Sequence, residues 1–144
     1  MVLADPLADE VDVLAINTYN GWYGPDRLAD LARFEWRLPA DRPLILSELG
    51  ADAKFGLHET GPAPHKFTEE YQADYYRATL AMAAHIPTLA GMSPWILKDF
   101  RSPRRQLAGV QDGWNRKGLI SELGEPKLAF RVLAEWYAER AGED

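Results

Sequence analysis

The stretch "RPLILSELGAD", Arg42 to Asp52, places a carboxylate at the end of an uninterrupted apolar run. Leu44, Ile45 and Leu46 have no polar residue between them, which suits a parallel strand buried on both faces, and Gly50 marks where that strand must stop. Burying a charge is expensive unless it has a partner or a task. Glu48 is therefore either one half of a salt bridge to a nearby Arg or Lys, or a functional carboxylate.

Two other segments read as strands with polar or aromatic ends. "VDVLAINTY", Val11 to Tyr19, is apolar and β-branched and runs into Asn17, Thr18 and Tyr19. "AGMSPWIL" delivers Trp95 to its end, with Pro94 making it irregular. Between these lie helical signals. After "GWYG", Pro25 can open a helix whose Leu28, Leu31 and Ala32 recur at helical spacing, with Pro39 and Pro43 closing the connection. Thr68 is a predicted N-cap, Glu69 and Glu70 fill a favourable first turn, and Tyr71, Tyr75, Ala78 and Met82 mark one face of a helix reaching about Ala84. Pro126 opens a last helix with Ala129, Val132, Leu133 and Trp136 inward. Residues 53–66 carry two glycines, two prolines and no period, as expected of a long surface loop that shapes a site. A second loop, "KDFRSPRRQLAGVQDGWNRKG", follows Trp95.

Strands alternating with helices imply a parallel sheet with right-handed crossovers and a site at the C-terminal strand ends. Two α/β architectures qualify. A small doubly wound sheet would be complete at 144 residues, whereas a (β/α)8 barrel typically needs about 250 residues, so length favours the first. With 47% apolar residues the chain can bury a real core in one domain.

Charge and cysteine content remove several functions. A net charge of -6 argues against nucleic acid or an anionic membrane as the main partner, and "RSPRR", Arg101 to Arg105, reads as a solvated loop. Without cysteine there is no disulfide or thiolate metal site, and His58, His65 and His85 lack the spacing of a zinc motif. No metal or other cofactor is expected. The chain has no apolar run of membrane-spanning length and no secretory signal at its start, which leaves the cytoplasm as the default location.

The strand ends together suit a sugar. Asn17 and Tyr19 can hydrogen-bond a carboxylate or hydroxyls, and the face of Trp95 can pack on the apolar face of a pyranose. Against this, Asn17 and Tyr19 could simply satisfy loop backbone groups, and Trp95, Trp22 and Trp114 could be ordinary packing residues. Composition and spacing leave both readings open.

Four motifs in order, "INTYNGWYG", "PLILSELGAD", "SPWILKDFRSPRRQ" and "DGWNRKGLIS" with "GEPKLAF", closely resemble the C-terminal barrel segment of glycoside hydrolase family 2, which includes β-glucuronidases, β-galactosidases and β-mannosidases. The resemblance covers nearly the whole chain, and it overrules the length argument. It implies a partial TIM barrel, residues 1–144 being the C-terminal segment of the catalytic barrel, with "VDVLAINTY", "PLILSEL" and "SPWIL" as strands six, seven and eight. It implies that Glu48 is the catalytic nucleophile, for which hydrogen bonds from Tyr19 would be fitting. It further implies that Asn17 and Tyr23 lie near the sugar, that Trp95 is a platform beneath it, and that a cis peptide follows Trp95.

A retaining glycosidase needs two carboxyl groups about 5–5.5 Å apart, one attacking the anomeric carbon and the other serving as acid and then base. The family's acid/base is a Glu following Asn at the end of strand four, and this sequence contains no Asn-Glu dipeptide. The chain is thus expected to be a fragment, inactive alone, whose partners are a carbohydrate substrate and the rest of the barrel. Its open sheet edges should make the isolated chain aggregate or oligomerise. In "WNRKG", Asn115 and Lys117 match the Asn-x-Lys element with which the family's β-glucuronidases hold the substrate carboxylate, a task suited to a cation with several donors. The resemblance therefore leans to β-D-glucuronides. The alternatives are a surface lysine in a glycine-flanked turn, with a β-galactosidase or related activity, and a non-catalytic carbohydrate-binding or assembly remnant. The loop's Arg101, Arg104, Arg105 and Arg116 are candidates for ion pairs with Asp99 and Asp112.

Overall fold

The computed structural model describes residues 5–38 and 42–142, so Pro39, expected to close the first connection, lies outside the described residues. The regular elements are β1 (Leu14–Asn17), β2 (Leu44–Leu49), α1 (Glu69–Ala83), β3 (Leu89–Pro94), β4 (Phe100–Arg101), β5 (Trp114–Asn115) and α2 (Leu128–Ala141). Two 3-10 helices, Pro6–Glu10 and Leu28–Arg33, precede β1 and β2. The chain divides into two compact units. One comprises the chain up to Leu49 with Ala78–Pro94, the other Gly50–Arg77 with the chain from Trp95 onward, and α1 runs from the second into the first.

The first unit holds a three-stranded parallel sheet in the order β1-β2-β3. Leu44, Leu46 and Leu49 of β2 are fully buried, while Ile45 and Ser47 are half-buried. The expectation of a strand buried on both faces is therefore corrected: among the described residues only one face is fully covered. β1 is shorter than expected, with Val11 and Val13 exposed ahead of it.

The pairing of β1 with β2 is regular from Leu14↔Leu44 to Ile16↔Leu46 and then skips Ser47, so that Asn17 pairs with Glu48. An extra residue of this kind bends a strand and re-aims the side chains beyond it. Strict alternation after Leu44 and Leu46 would bury residue 48. The bulge shifts the phase by one, so Leu49 takes the buried position and Glu48 stays half-exposed. Pro94, which has no N–H for a ladder, is the last residue of β3, beside one of the two irregularities in the β2–β3 pairing, that between Leu46 and Leu49.

The predicted helix after Pro25 forms only the 3-10 turn Leu28–Arg33, which buries Leu31 but leaves Ala32 exposed. Six residues with one buried anchor are too few to offset the cost of helix nucleation, and the tighter 3-10 form is common in such short pieces.

In the second unit Thr68 caps α1 as expected, its Oγ1 accepting the N–H of Tyr71 at 3.2 Å. The buried residues of α1 include Gln72, Ala73, Tyr75, Tyr76, Thr79, Leu80, Met82 and Ala83, whereas Tyr71 and Ala78 are half-buried. The inner face is thus rotated by about one residue from the apolar pattern, because Gln72 belongs to it. Its Nε2 donates to the carbonyls of Ala51 (2.8 Å) and Gly118 (3.1 Å), and that pairing makes its burial tolerable. α2 buries Ala129, Val132 and Leu133, and Trp136 is half-buried beneath Arg140, whose guanidinium lies 3.7 Å from the ring centroid. The loop expected after Trp95 contains a short antiparallel pair, β4 with β5.

Candidate active site

In the first unit the carboxylate at the end of β2 is met by the end of β1. The backbone N–H of Thr18 donates to the Glu48 carbonyl at 2.8 Å, extending the ladder past Asn17 and fixing where Tyr19 begins. Tyr19 Oη then donates to Glu48 Oε2 at 2.9 Å. Asn17 Oδ1 accepts from the hydroxyl of Ser47, the bulge residue, at 2.8 Å. A turn follows in which the N–H groups of Trp22 (2.8 Å) and Tyr23 (3.3 Å) donate to the Tyr19 carbonyl. That turn brings Tyr23 edge-on to Tyr19, with ring centroids 5.2 Å apart, and leaves Tyr23 59% exposed while Trp22 is buried. Asn17, Tyr19, Tyr23 and Glu48 therefore lie together, and the salt-bridge alternative for Glu48 gives way to a bond from a phenol.

The second unit holds Trp95, Asn115 and Lys117. The peptide between Trp95 and Ile96 is cis. The Ile96 N–H donates to the Lys117 carbonyl at 3.1 Å, and the Trp95 ring meets Phe100 edge-on with centroids 6.2 Å apart. Asn115 Oδ1 accepts the Lys117 N–H at 3.0 Å. Lys117 is not the surface lysine of a turn: it is only 1% exposed, and its ammonium is ion-paired with Asp52 Oδ1. The other oxygen of Asp52, itself fully buried, accepts from Gln111 Nε2 at 2.9 Å.

Two close approaches show why glycine stands beside these groups. A Cβ on Gly50 would lie 2.2 Å from the Trp95 carbonyl oxygen, and one on Gly118 would lie 2.2 Å from the Asp99 nitrogen. Neither position has room for a side chain.

A second set of buried charges supports the "WNRKG" segment. Lys127 Nζ, fully buried, donates to Asp99 Oδ1 (2.7 Å) and to the carbonyls of Ala53 (2.6 Å) and Arg116 (3.1 Å). Asp99 Oδ1 also accepts the Gly118 N–H at 2.8 Å, and Arg116 pairs with Asp99 Oδ2 at 3.3 Å and with Glu122. Burial raises the Asp99 carboxyl above its ordinary range despite the pull of Lys127 and Arg116. Burial likewise lowers the Lys127 ammonium despite Asp99. The expected pairing of Asp99 with arginine is made by Arg116, while Asp112 accepts the N–H of Gly109 at 2.8 Å. Arg101 lies over the Trp114 ring at 5.0 Å from its centroid. Sequence reasoning missed Asp52, Gln111 and Lys127. Asp52 stood inside a quoted motif, but its partner is 65 residues away and no spacing rule connects them.

The described helices include none long and apolar enough to cross a membrane. No family model matches the chain. It is 37% identical over 136 residues to a β-glucuronidase of Streptococcus agalactiae, with 88% of this chain covered, and 34% identical over 150 residues to that of Rattus norvegicus, with 97% covered. The chain spans 22% of the length of each of these relatives. Among solved structures it is similar to a β-glucuronidase of Bifidobacterium dentium complexed with coumarin-3-O-glucuronide, with a TM-score of 0.72 and 29% identity over 89% of this chain and 21% of that one. A family 2 β-galacturonidase of Eisenbergiella tayi bound to galacturonate matches with a TM-score of 0.71 and 25% identity, covering 89% of this chain and 24% of that one.

Proposed function

As a chain related over nearly its whole length to one segment of the glycoside hydrolase family 2 β-glucuronidases, this protein, we propose, supplies the nucleophile side of a retaining exo-β-glycosidase that acts on β-glucuronides. In this reading β1, β2 and β3 are strands six, seven and eight of a (β/α)8 barrel, and the chain is the C-terminal segment of that catalytic domain. The parallel order β1-β2-β3 supports it, as do polar groups at C-terminal strand ends, where barrel enzymes place their sites.

The observation that carries the proposal is the Tyr19 Oη bond to Glu48 Oε2 at the half-exposed end of β2. A carboxylate held this way has one oxygen oriented by a donor and the other available to attack an anomeric carbon. Glu48 would displace the aglycone to form a glycosyl-enzyme. A second carboxyl, supplied by the rest of the catalytic barrel at about 5–5.5 Å, would protonate the leaving oxygen and then activate the water that releases the sugar. Asn17 and Tyr23 flank the nucleophile and would bind sugar hydroxyls, and Trp95 would stack on the ring. Asn115 and Lys117 would address the uronate carboxylate. The glucuronide bound by one solved neighbour and the galacturonate bound by the other both carry that carboxylate and differ in configuration at C4, so the Asn115–Lys117 pair supports a uronide without choosing the epimer.

The test is trapping in the full-length enzyme of which this chain is the proposed segment. A 2-deoxy-2-fluoro glucuronide with a good leaving group should accumulate a covalent adduct on the peptide containing Glu48. Glu48→Gln should abolish that adduct and lower turnover about a thousandfold or more, with substrate binding largely kept. Labelling of another carboxylate, or near-normal turnover of the variant, would overturn the assignment.

A further inference from the structure

Lys117 is held at both ends. Its backbone N–H is bound by Asn115 Oδ1, its carbonyl by the Ile96 N–H, and its ammonium by Asp52 Oδ1. Asp52 is itself immobilised, because it is fully buried and its second oxygen takes the Gln111 amide. A lysine side chain left free would have four rotatable bonds to order whenever a ligand arrived. Here that ordering is supplied by the protein itself, by a carboxylate four residues beyond Glu48 in the chain.

We propose that Asp52, with Gln111 behind it, is a positioning residue for uronide selectivity: it fixes the Lys117 ammonium in one place so that a substrate carboxylate meets an already oriented cation. This rests on the proposed role of Lys117 at a uronate. An ammonium has three donors, so Asp52 and a substrate carboxylate can share it. Because Asp52 is fully buried and acts through the lysine ammonium, its effect should fall on the charged glycone alone. A neutral β-glycoside, which offers the ammonium no charge, gains nothing from it. The pair also works by preorganisation, which raises affinity by lowering the cost of ordering.

The measurement is the ratio of kcat/KM for a β-glucuronide to that for the matching β-glucoside, in the full-length enzyme. Lys117→Met should lower this ratio, and if it does not, the uronate reading of Lys117 fails. Given that fall, Asp52→Asn should lower the ratio about tenfold, mainly through KM for the glucuronide, with the glucoside little changed. In the Lys117→Met background Asp52→Asn should have no further effect on the ratio. If Asp52→Asn lowers both substrates equally, Asp52 is only structural and the inference fails while the Lys117 reading stands. If the ratio rises, Asp52 is a competing acceptor, which also overturns the inference. Should Asp52→Asn not fold, Gln111→Met carries the test, since it removes only the donor to Asp52 Oδ2. It should lower the ratio about threefold, and an unchanged ratio counts against the proposal.

Discussion

At the scale of single residues the notable feature is how many charges are buried in the second unit. Lys117, Lys127, Asp52, Asp99 and Arg116 are all at most 5% exposed. Taking a charge out of water costs more than a single ion pair usually returns, and the raised Asp99 and lowered Lys127 titrations both say that burial outweighs the partner. What makes the cluster tolerable is that three of these groups also bind backbone: Lys127 holds the Ala53 and Arg116 carbonyls, Asp99 holds the Gly118 N–H, and Arg116 donates from Nε to the Val110 carbonyl. Removing one member should therefore cost far more than any surface ion pair. Lys127→Met leaves Asp99 and two carbonyls short of a donor, and it should destabilise the fold by about 3–5 kcal/mol, measured by chemical denaturation of the full-length protein. A loss under about 1 kcal/mol would mean that the lysine is not the organising group.

At the scale of elements, the acidic first turn of α1 does more than complement a helix dipole. Glu69 accepts the N–H of Gly56 (2.7 Å) and the N–H of Leu128 at the start of α2 (2.9 Å). Glu70 accepts the N–H of Glu59 (3.0 Å) and meets His58 Nδ1 at 2.8 Å. The long loop is thus pinned by carboxylates to the helix that follows it. The hydrogen bond to Glu70, helped by the charges of Glu69 and Glu70, raises the His58 imidazole above its ordinary value. Burial pushes Glu70 up, but the Glu59 N–H and His58 outweigh it and hold its carboxyl below the usual range. The histidine's contribution is fully present below its unfolded value and disappears as pH rises through its raised folded value. The contribution of Glu70 is present above its unfolded value and is lost as pH falls through its lowered folded value. Amide exchange protection over residues 54–60 should therefore be greatest between about pH 4.5 and 6.5 and fall on both sides. His58→Gln should remove the alkaline limb and keep the acid one. Protection that is flat in pH would contradict the pinning role.

At the scale of the whole molecule, the sheet of the first unit ends on both sides in strands that pair, among the described residues, along one edge only. Beside β1 a groove of about 250 Å³ is lined by Asp5 together with the apolar Leu7, Ala8, Val11, Val13, Leu14, Ala15 and Ile16, and Leu7 is 66% exposed. Unpaired strand edges next to apolar surface recruit other chains. The chain expressed alone should elute from size exclusion with light scattering as oligomers or aggregate, and it should turn over no β-glucuronide. A monodisperse monomer with a cooperative melt would refute the expectation, and measurable turnover would refute the need for a second carboxyl from elsewhere.

Local chemistry by itself determined much of this protein. The apolar run Leu44–Leu46, the stop at Gly50 and the Thr68 cap were legible because each depends on neighbours a few residues away. So was the gathering of Asn17, Tyr19 and Glu48 at strand ends, since a parallel sheet aligns those ends whatever the intervening chain does. Only the tertiary structure decided the bulge at Ser47, because register is a property of two strands, and that bulge sets whether residue 48 or 49 is buried. It also decided that the Leu28 segment is a 3-10 turn, that α1 turns Gln72 inward, and that Lys117 is enclosed against Asp52. The inward Gln72 and the enclosed Lys117 hang on partners 21 to 65 residues away, and a buried charge can be recognised only once its counter-charge is in place.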